Sequence, residues 1–313
     1  MIGERYRAFL EDTLAEAHRW GPRHEGFLRR LELGTQRWLL DEAAVREAVA
    51  TREELARERR ACHELLRPVW QQGLLGHEIT HWPSGPGSAR AMELIYENDP
   101  LRYDLRTHYT EWLLLTRDLA HAVRSRRDLL RELLVAELNG RPGPVRVLDL
   151  AAGPCQSLRE ALPRIEDPRR VALRAIDTDE LAQAGSRAFF QREHGLPWDF
   201  EVENALRADL GTAEYDVLYS TGLFDYLATS TLVELWGRLY RAAKPGATLI
   251  LAVKDGTAFC PLFYRWAVPW SQFHIRPEAD FAEARARAGL PEPESVLGDA
   301  TGCVVLYVIR KEA

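Results

Sequence analysis

Residues 145–155, VRVLDLAAGPC, decide the fold, because a mostly apolar run that reads as a buried strand leads directly into a turn of small residues. The alternation continues along the chain. Strand patterns lie at 171–177, 200–206, 216–222 and 247–253, helical patterns lie at 157–165, 179–195 and 231–246, and the runs ESVLGD and CVVLYVIRK predict a closing pair of strands. Strands that alternate with helices need crossover connections, so the pattern predicts an α/β fold with a parallel sheet covered on both faces.

The N-terminal part of the chain follows a helical pattern instead. Apolar side chains recur at helical spacing near the start, and leucines do so in a later stretch that ends at Asn139-Gly140. These positions are Phe9, Leu10, Leu14 and Ala17, then Leu129, Leu130, Leu133, Leu134 and Leu138. Residues 81–100 begin with prolines and glycines and predict a loop that opens another helix. We therefore predict an all-helical domain over 1–140 and an α/β domain over 141–313.

The composition excludes several classes of protein. The 41 basic and 47 acidic residues give a net charge of −6, which disfavours a nucleic-acid partner. No apolar stretch is long enough to span a membrane, and the charged N-terminus lacks the apolar core of a signal peptide. The four cysteines are scattered and form no CxxC pair. We expect a reduced, cytoplasmic protein with a small-molecule substrate; the oligomeric state is left open.

Three strand ends carry candidate ligand-binding residues. In a doubly wound sheet, ligands bind beyond the carboxyl ends of the strands. The first strand ends in Asp149 and the turn 151–155, where Gly153 permits an unusual backbone; with one glycine and with Pro154, the turn does not match GxGxxG. The second strand ends in Asp177-Thr178-Asp179, whose acid can accept two hydrogen bonds from a ribose diol. The third ends in Asn204-Ala205, which offers an amide to an adenine edge.

Each of these features has a structural alternative. A turn of small residues can serve packing alone, and Asp177 or Thr178 can be a helix cap. The features follow the correct strands in the correct order, however, and together they favour a nucleoside-binding site.

The sequence resembles the class I S-adenosylmethionine-dependent methyltransferases. VLDLAAGPC resembles their first motif and RAIDTD their second, while DVLYSTGLFDYL and AAKPGATLILAV resemble later ones, so the likeness covers about residues 144 to 310. GLFDYL, AHAVRSRRDLL and AMELIYENDP are also similar to bacterial proteins of 3-hydroxypalmitic acid methyl ester biosynthesis, which have an N-terminal helical region. The resemblance implies a Rossmann-like methyltransferase sheet, a helical lid domain and S-adenosylmethionine as cofactor.

The resemblance also implies roles by position. Asp149 and Gly153 would shape the pocket around the methionine part, Asp177 would hold the ribose hydroxyls, and Asn204 and Ala205 would hold the adenine. The other implied cofactor contacts are Ala151, Pro154, Thr178, Ser220, Thr221, Gly222 and Phe224, with Asp225 and Tyr226 at the entry to the substrate pocket. Arg126 or Arg127 would pair with the methionine carboxylate, or both would be surface residues. The family's loop before the MELIY-like segment is only partly matched by residues 83–87.

Methyl transfer from a sulfonium is an in-line displacement that depends on positioning and on exclusion of water. A sulfonium favours aromatic faces and oxygen atoms nearby. The aromatic candidates are Tyr96, Tyr109, Tyr219, Phe224 and Tyr226, each of which can instead be a core residue. We predict Tyr96, Tyr109, Ser220 and Tyr226 as catalytic candidates, with His108 and Tyr109 as polar groups of the lid.

One competing motif is HEITH, His77 to His81, which matches the HExxH pattern of zinc proteases with Glu78 as base. Trp82-Pro83 ends the supporting helix at once, and Ser84 and Gly87 stand where the longer motif needs glycine and histidine. Glu93 and Glu97 are alternative third ligands. We predict no metal site.

The leading hypothesis is a methyltransferase that acts on a carboxylate or hydroxyl of a small, specialised or fatty-acid-derived molecule. The alternative on the same fold is a cyclase that converts the cofactor to azetidine-2-carboxylate and methylthioadenosine. A non-catalytic binding protein and a zinc protease are the remaining classes. Product analysis separates the first two, because S-adenosylhomocysteine marks methyl transfer and methylthioadenosine marks cyclisation.

Overall fold

The structure is a computed structural model that describes residues 1–81, 87–100, 104–195, 198–256, 259, 261–270 and 273–312. The chain divides into two compact units. The first contains Met1–His121 and Cys260–Gln272, and the second contains Ala122–Phe259 and Phe273–Ala313. The domain boundary at residue 140 stays a prediction.

The predicted elements follow one another in the predicted order, and two helices that the sequence patterns did not predict lie between the fifth and sixth strands. The helices are α1 Ile2–Ala15, α2 Glu25–Thr35, α3 Glu42–Val49, α4 Arg52–Trp70, α5 Leu74–His81, α6 Ala89–Glu97, α7 Leu105–Leu115, α8 Asp118–Gly140, α9 Gln156–Ala161, α10 Glu180–His194, α11 Thr229–Ala242, α12 Leu262–Trp266 and α13 Glu278–Arg287. The strands are β1 Val145–Leu150, β2 Val171–Asp177, β3 Asp199–Val202, β4 Tyr215–Thr221, β5 Ala243–Lys254, β6 Ser295–Gly298 and β7 Val304–Arg310. None of these helices has the length and apolar character needed to cross a membrane.

The first unit is helical around an apolar core. Leu10 and Leu14 of α1 and Leu66 and Trp70 of α4 are almost fully buried there. The start of α4 is fixed by a capping box, in which the Thr51 hydroxyl accepts from the Glu54 amide while the Glu54 carboxylate accepts from the Thr51 amide. The buried apolar positions and the capping residues of α4 therefore both favour the helical structure of this unit.

A buried carboxylate supports the start of α5. Glu111 of α7 is 3% exposed, and its two oxygens accept the backbone N–H groups of Leu75 and Gly76 at 3.1 and 3.0 Å. Burial raises the pKa of Glu111, and the two backbone donors oppose that shift. Because the first N–H groups of a helix have no partner within it, Glu111 serves as a cap from a distant element.

Replacing Glu111 by alanine should therefore lower the free energy of unfolding by about 2 to 3 kcal/mol, since two buried donors lose their acceptor. Urea unfolding checks this as a lower midpoint at an unchanged slope. Glu111→Gln keeps one acceptor oxygen and should cost about half as much. An alanine variant as stable as the parent would contradict the capping role.

The second unit is built on one seven-stranded sheet with the strand order β3-β2-β1-β4-β5-β7-β6. Strands β3, β2, β1, β4 and β5 run parallel, while β7 pairs antiparallel with both β5 and β6. The predicted α/β class with a closing strand pair is confirmed. The chain winds outward from β1 to β3 and then returns to place β4 on the other side of β1. This switch point lies at the carboxyl ends of β1 and β4, where such sheets bind ligands.

Several predicted element ends differ from the structure. The helix predicted over 231–246 spans Thr229–Ala242, and the next strand, predicted over 247–253, begins at Ala243. The helix predicted over 157–165 is α-helical only to Ala161 and continues as a 3₁₀ turn over Leu162–Arg164, because Pro163 lacks a backbone donor. The strand predicted over 200–206 ends at Val202. The Asn204 side chain accepts from the Leu206 amide at 2.8 Å, and this local turn replaces the ladder.

Candidate functional site

The loop after β1 is wound tightly. Ala151, Gly153 and Cys155 all have left-handed backbone conformations, with φ of 57°, 49° and 50°. Such angles are unusual for residues with a Cβ and mark a backbone that is held by its surroundings. A Cβ built at Gly153 meets nothing within 4 Å, so the space beside it is open. A ligand can therefore approach the backbone here.

Asp177, the last residue of β2, ties this loop to its own strand. One carboxylate oxygen accepts the Gly153 N–H at 2.7 Å and the other accepts the Asp179 N–H at 2.9 Å. The cap of α10 is Asp179, whose carboxylate accepts from Leu181 and Ala182, both at 3.0 Å. Asp177 is thus not the helix cap. Each of its oxygens keeps a lone pair for a further donor, as a vicinal diol would supply.

Asp149 forms a buried pair with Tyr219 across β1 and β4. The two residues stand opposite each other in the register, and the Tyr219 hydroxyl donates to the carboxylate at 2.8 Å. Asp149 is 4% exposed. Burial, with a smaller contribution from the Asp177 charge, raises the pKa of Asp149 to about 7. Tyr219, predicted only as an aromatic neighbour of a sulfonium, is engaged with this acid.

The residues after β3 form an edge of small and apolar groups. Ala205 is buried, whereas Val202 and Leu206 are 51% and 36% exposed. Thr178, after β2, is exposed. Exposed apolar side chains beside the Asn204 amide form a surface on which a flat nucleobase can lie.

The carboxyl end of β4 contains an unsatisfied polar group. Ser220 is fully buried, and its Oγ has no hydrogen-bond partner among the described residues. Thr221 is half-buried. Phe224 is fully buried with its ring edge-on to Trp236, at 5.7 Å between centroids. Phe224 thus contributes to the core, and its predicted cofactor contact stays a prediction.

Arg126 of α8 lies against the same strand end. Its side chain is 6% exposed, and within the described ranges no hydrogen bond or ion pair joins it to another residue. A Cβ at Gly222, where φ is 96°, would lie 3.0 Å from Nη1 of Arg126. Arg127, in contrast, pairs with Asp128 at 2.9 Å and with Glu160 at 3.4 Å. Of the two predicted arginines, Arg126 is therefore the one that lies unpaired, among the described residues, beside the switch strand.

Three of the other candidates belong to the helical unit. Tyr109 is buried, and its hydroxyl donates to the carbonyl of Gly21. The two ring nitrogens of His108 lie 2.9 Å from the Pro100 carbonyl oxygen and 2.6 Å from that of Pro22. Tyr96 is half-buried on α6. The polar groups of His108 and Tyr109 are thus occupied by backbone carbonyls, while their roles at a site stay predictions.

The HExxH residues lie at the end of α5. The rings of His77 and His81 stack at 3.8 Å, and Glu78 accepts from the Ser88 hydroxyl at 3.4 Å. Nowhere in the described ranges do three or more His, Cys, Asp or Glu side chains form a group that could hold a metal ion. Residues 83–86 of the Pro- and Gly-rich loop lie outside the described residues.

Several solved structures are similar to this chain. A possible exported protein of Bordetella parapertussis is 19% identical over 98% of this chain and 97% of its own, with a TM-score of 0.60. The magnesium protoporphyrin IX methyltransferase of Synechocystis PCC 6803, solved with bound S-adenosylmethionine, is 13% identical over 63% of this chain and 85% of its own, with a TM-score of 0.47. An S-adenosylmethionine-dependent methyltransferase from Mesorhizobium loti is 16% identical over 60% of this chain and 98% of its own, with a TM-score of 0.46.

The Bordetella protein shows that the fold is shared over nearly the full length of both chains. No protein-family model matches the sequence, and no curated protein matches it either. The predicted cytoplasmic location stays a prediction.

Proposed function

We propose that the second unit binds S-adenosylmethionine at the carboxyl ends of β1, β2 and β4. The observation that carries the proposal is Arg126, a residue 6% exposed beside Gly222, whose guanidinium makes no hydrogen bond or ion pair with another described residue. An arginine stays charged at any physiological pH, and a buried charge without a partner is costly. An anion that enters this position removes that cost, and a carboxylate is suited to bidentate pairing with a guanidinium.

The remaining groups fit the other parts of the same molecule. Asp177 has acceptor capacity for the ribose diol, and the edge at Asn204 and Ala205 is suited to adenine. Asp149 offers a carboxylate to the cationic amino group. The Ser220 Oγ, which lacks a partner among the described residues, offers an oxygen to the cationic end of the ligand. The site therefore offers oxygen atoms to the cationic groups of S-adenosylmethionine and a guanidinium to its carboxylate.

We further propose that the reaction is methyl transfer to a carboxylate or hydroxyl of a small molecule. The bound cofactor supplies an activated methyl group, so the protein residues have to orient the acceptor and exclude water. A carboxylate acceptor needs no general base, because it is already deprotonated. The resemblance of GLFDYL and AMELIYENDP to proteins of 3-hydroxypalmitic acid methyl ester biosynthesis favours a long-chain 3-hydroxy acid as acceptor.

The proposal is tested by incubating the protein with S-adenosylmethionine, alone and with 3-hydroxypalmitic acid, and identifying the products by mass spectrometry. We expect S-adenosylhomocysteine and a methyl ester in equal amounts, and only when the acid is present. Methylthioadenosine formed from the cofactor alone at enzymatic rates would instead support the cyclase and overturn methyl transfer. Arg126→Met serves as the matched variant with weakened cofactor binding, assayed at a concentration of S-adenosylmethionine that the parent binds but the variant does not saturate.

Cofactor affinity should rise with pH toward neutrality. The pKa of Asp149 is raised to about 7 without ligand, and a cationic ligand favours its ionised form. Binding then releases a proton, so affinity should weaken by up to about tenfold for each pH unit below 7. Calorimetric titrations from about pH 5.5 to 7, in buffers of different ionisation enthalpy, measure both effects. Asp149→Asn should flatten the profile; a flat profile in the parent would exclude this role of Asp149.

A further inference from the structure

Two charged side chains are enclosed where β4 and β5 end. Asp225 lies in the 3₁₀ turn Phe224–Tyr226 and is 3% exposed, and Lys254 is the last residue of β5 and is 4% exposed. One carboxylate oxygen of Asp225 accepts from the Lys254 ammonium, and the other accepts from the Lys254 backbone N–H, both at 2.8 Å. Both oxygens thus join the turn to the same strand end.

A third segment, residues 273–274, also lies against this ion pair. The His274 N–H donates to the Asp225 carbonyl at 2.7 Å. The Lys254 ammonium lies 4.2 Å from the ring centroid of Phe273 and 5.9 Å from that of Tyr226. The two rings are 5.2 Å apart. Two aromatic side chains are therefore placed around one buried ammonium.

Stability alone does not account for this arrangement. Enclosing two charges costs solvation that their attraction seldom exceeds, and apolar residues of similar volume hold a fold as well or better. The cost is visible here, because burial lowers the pKa of Lys254 while the charge of Asp225 opposes that shift. What the pair provides, and an apolar contact does not, is a defined geometry for the turn directly after Gly222.

We propose that the Asp225–Lys254 ion pair is a positioning element of the methyl-transfer site. It holds the turn Phe224–Tyr226, and with it the rings of Tyr226 and Phe273, in the arrangement against which the acceptor is oriented. Asp225 and Lys254 act through these groups and do not touch the reacting atoms. This inference rests on the proposed function, and it adds the residues that set the acceptor geometry.

The test removes both charges and keeps the shape, with Asp225→Asn combined with Lys254→Met. The amide introduced in place of the Asp225 carboxylate can still accept from the backbone of residue 254, so the double variant should fold. A more exposed ion pair at the opposite ends of β4 and β5 provides the control. There the Lys244 ammonium lies 2.7 Å from the Asp216 carboxylate, which also accepts from the Arg146 backbone N–H at 2.8 Å. Asp216→Asn with Lys244→Met is the control.

We expect the Asp225/Lys254 double variant to keep its dissociation constant for S-adenosylmethionine within about threefold of the parent. Its turnover number with 3-hydroxypalmitic acid should fall by about 10- to 100-fold, because a misplacement of about 1 Å has effects of that size. The control should keep both values. An unchanged turnover number would overturn the proposal, and so would an equal loss of cofactor affinity and turnover.

A parent protein that methylates nothing would contradict the proposed function and leave the positioning role open to a second measurement. The amides of Tyr226 and Leu227 are bonded within the turn, to the carbonyls of Leu223 and Phe224 at 3.0 and 3.2 Å. In the Asp225/Lys254 double variant their hydrogen exchange should accelerate by about tenfold or more, and in the control it should not. Unchanged exchange would show that the pair does not fix the turn.

Discussion

Replacement of Arg126 by methionine is expected to weaken S-adenosylmethionine binding by roughly 30- to 150-fold and to leave the protein as stable as the parent, or more stable. The loss of affinity corresponds to about 2 to 3 kcal/mol, the contribution of hydrogen bonds to a charged group. Stability should not fall, because the variant replaces a buried charge that lacks a partner among the described residues by an apolar side chain of similar length. Calorimetry gives the dissociation constant, and thermal unfolding gives the stability.

Two controls separate this effect from a general disturbance of α8. Arg127→Met changes the neighbouring arginine, which pairs with Asp128 and Glu160, and should leave the affinity unchanged. Methylthioadenosine lacks the amino-acid part of the cofactor, so it should bind parent and Arg126→Met equally well. If the variant loses affinity for both ligands to the same extent, Arg126 does not pair with the carboxylate.

Replacement of Asp177 by alanine should weaken the binding of S-adenosylmethionine and of methylthioadenosine alike, by about 100-fold or more. The variant loses the acceptor for the ribose diol and also the bonds that hold Gly153 and Asp179. Each hydrogen bond to a charged group contributes about 1.5 to 3 kcal/mol, so the combined loss exceeds that from Arg126. Calorimetric titration with each ligand measures it.

Asp179→Ala is the control for this variant. It removes the cap of α10, whose bonds go to Leu181 and Ala182, and should lower stability by about 1 kcal/mol with little effect on affinity. Parent-like binding of methylthioadenosine by Asp177→Ala would contradict the ribose role.

The sheet could be predicted from the sequence because its strands are short apolar runs separated by helical patterns. VRVLDL, VALRAID and ATLILAV need no knowledge of their partners to be recognised. The end of β3 was missed, since the local turn at Asn204 competes with the strand. Apolar periodicity is enough to predict that a helix or strand is present. Where the helix or strand ends depends on single side chains.

The site was only partly predictable. Asp149, Gly153 and Asp177 could be proposed from the sequence because each lies at or just beyond the carboxyl end of a strand. The pairs Asp149–Tyr219 and Asp225–Lys254 join residues that are far apart in sequence, and they depend on the register and on which strands are neighbours. The sequence did contain a pattern that favours Arg126 over Arg127 as the buried arginine. Arg126 precedes the buried residues Leu130, Leu134 and Leu138 at intervals of four, on the same face of the helix.

The close contact between Gly222 and the Arg126 guanidinium has a consequence for the history of such proteins. Since a Cβ at position 222 would lie 3.0 Å from Nη1, a side chain there would require the end of Arg126 to shift by a few tenths of an ångström. The backbone angle of 96° favours glycine whatever lies beside it, so a descendant with a side chain at 222 must both strain its backbone and move the arginine. Covariation between positions 222 and 126 across related genes would record this dependence.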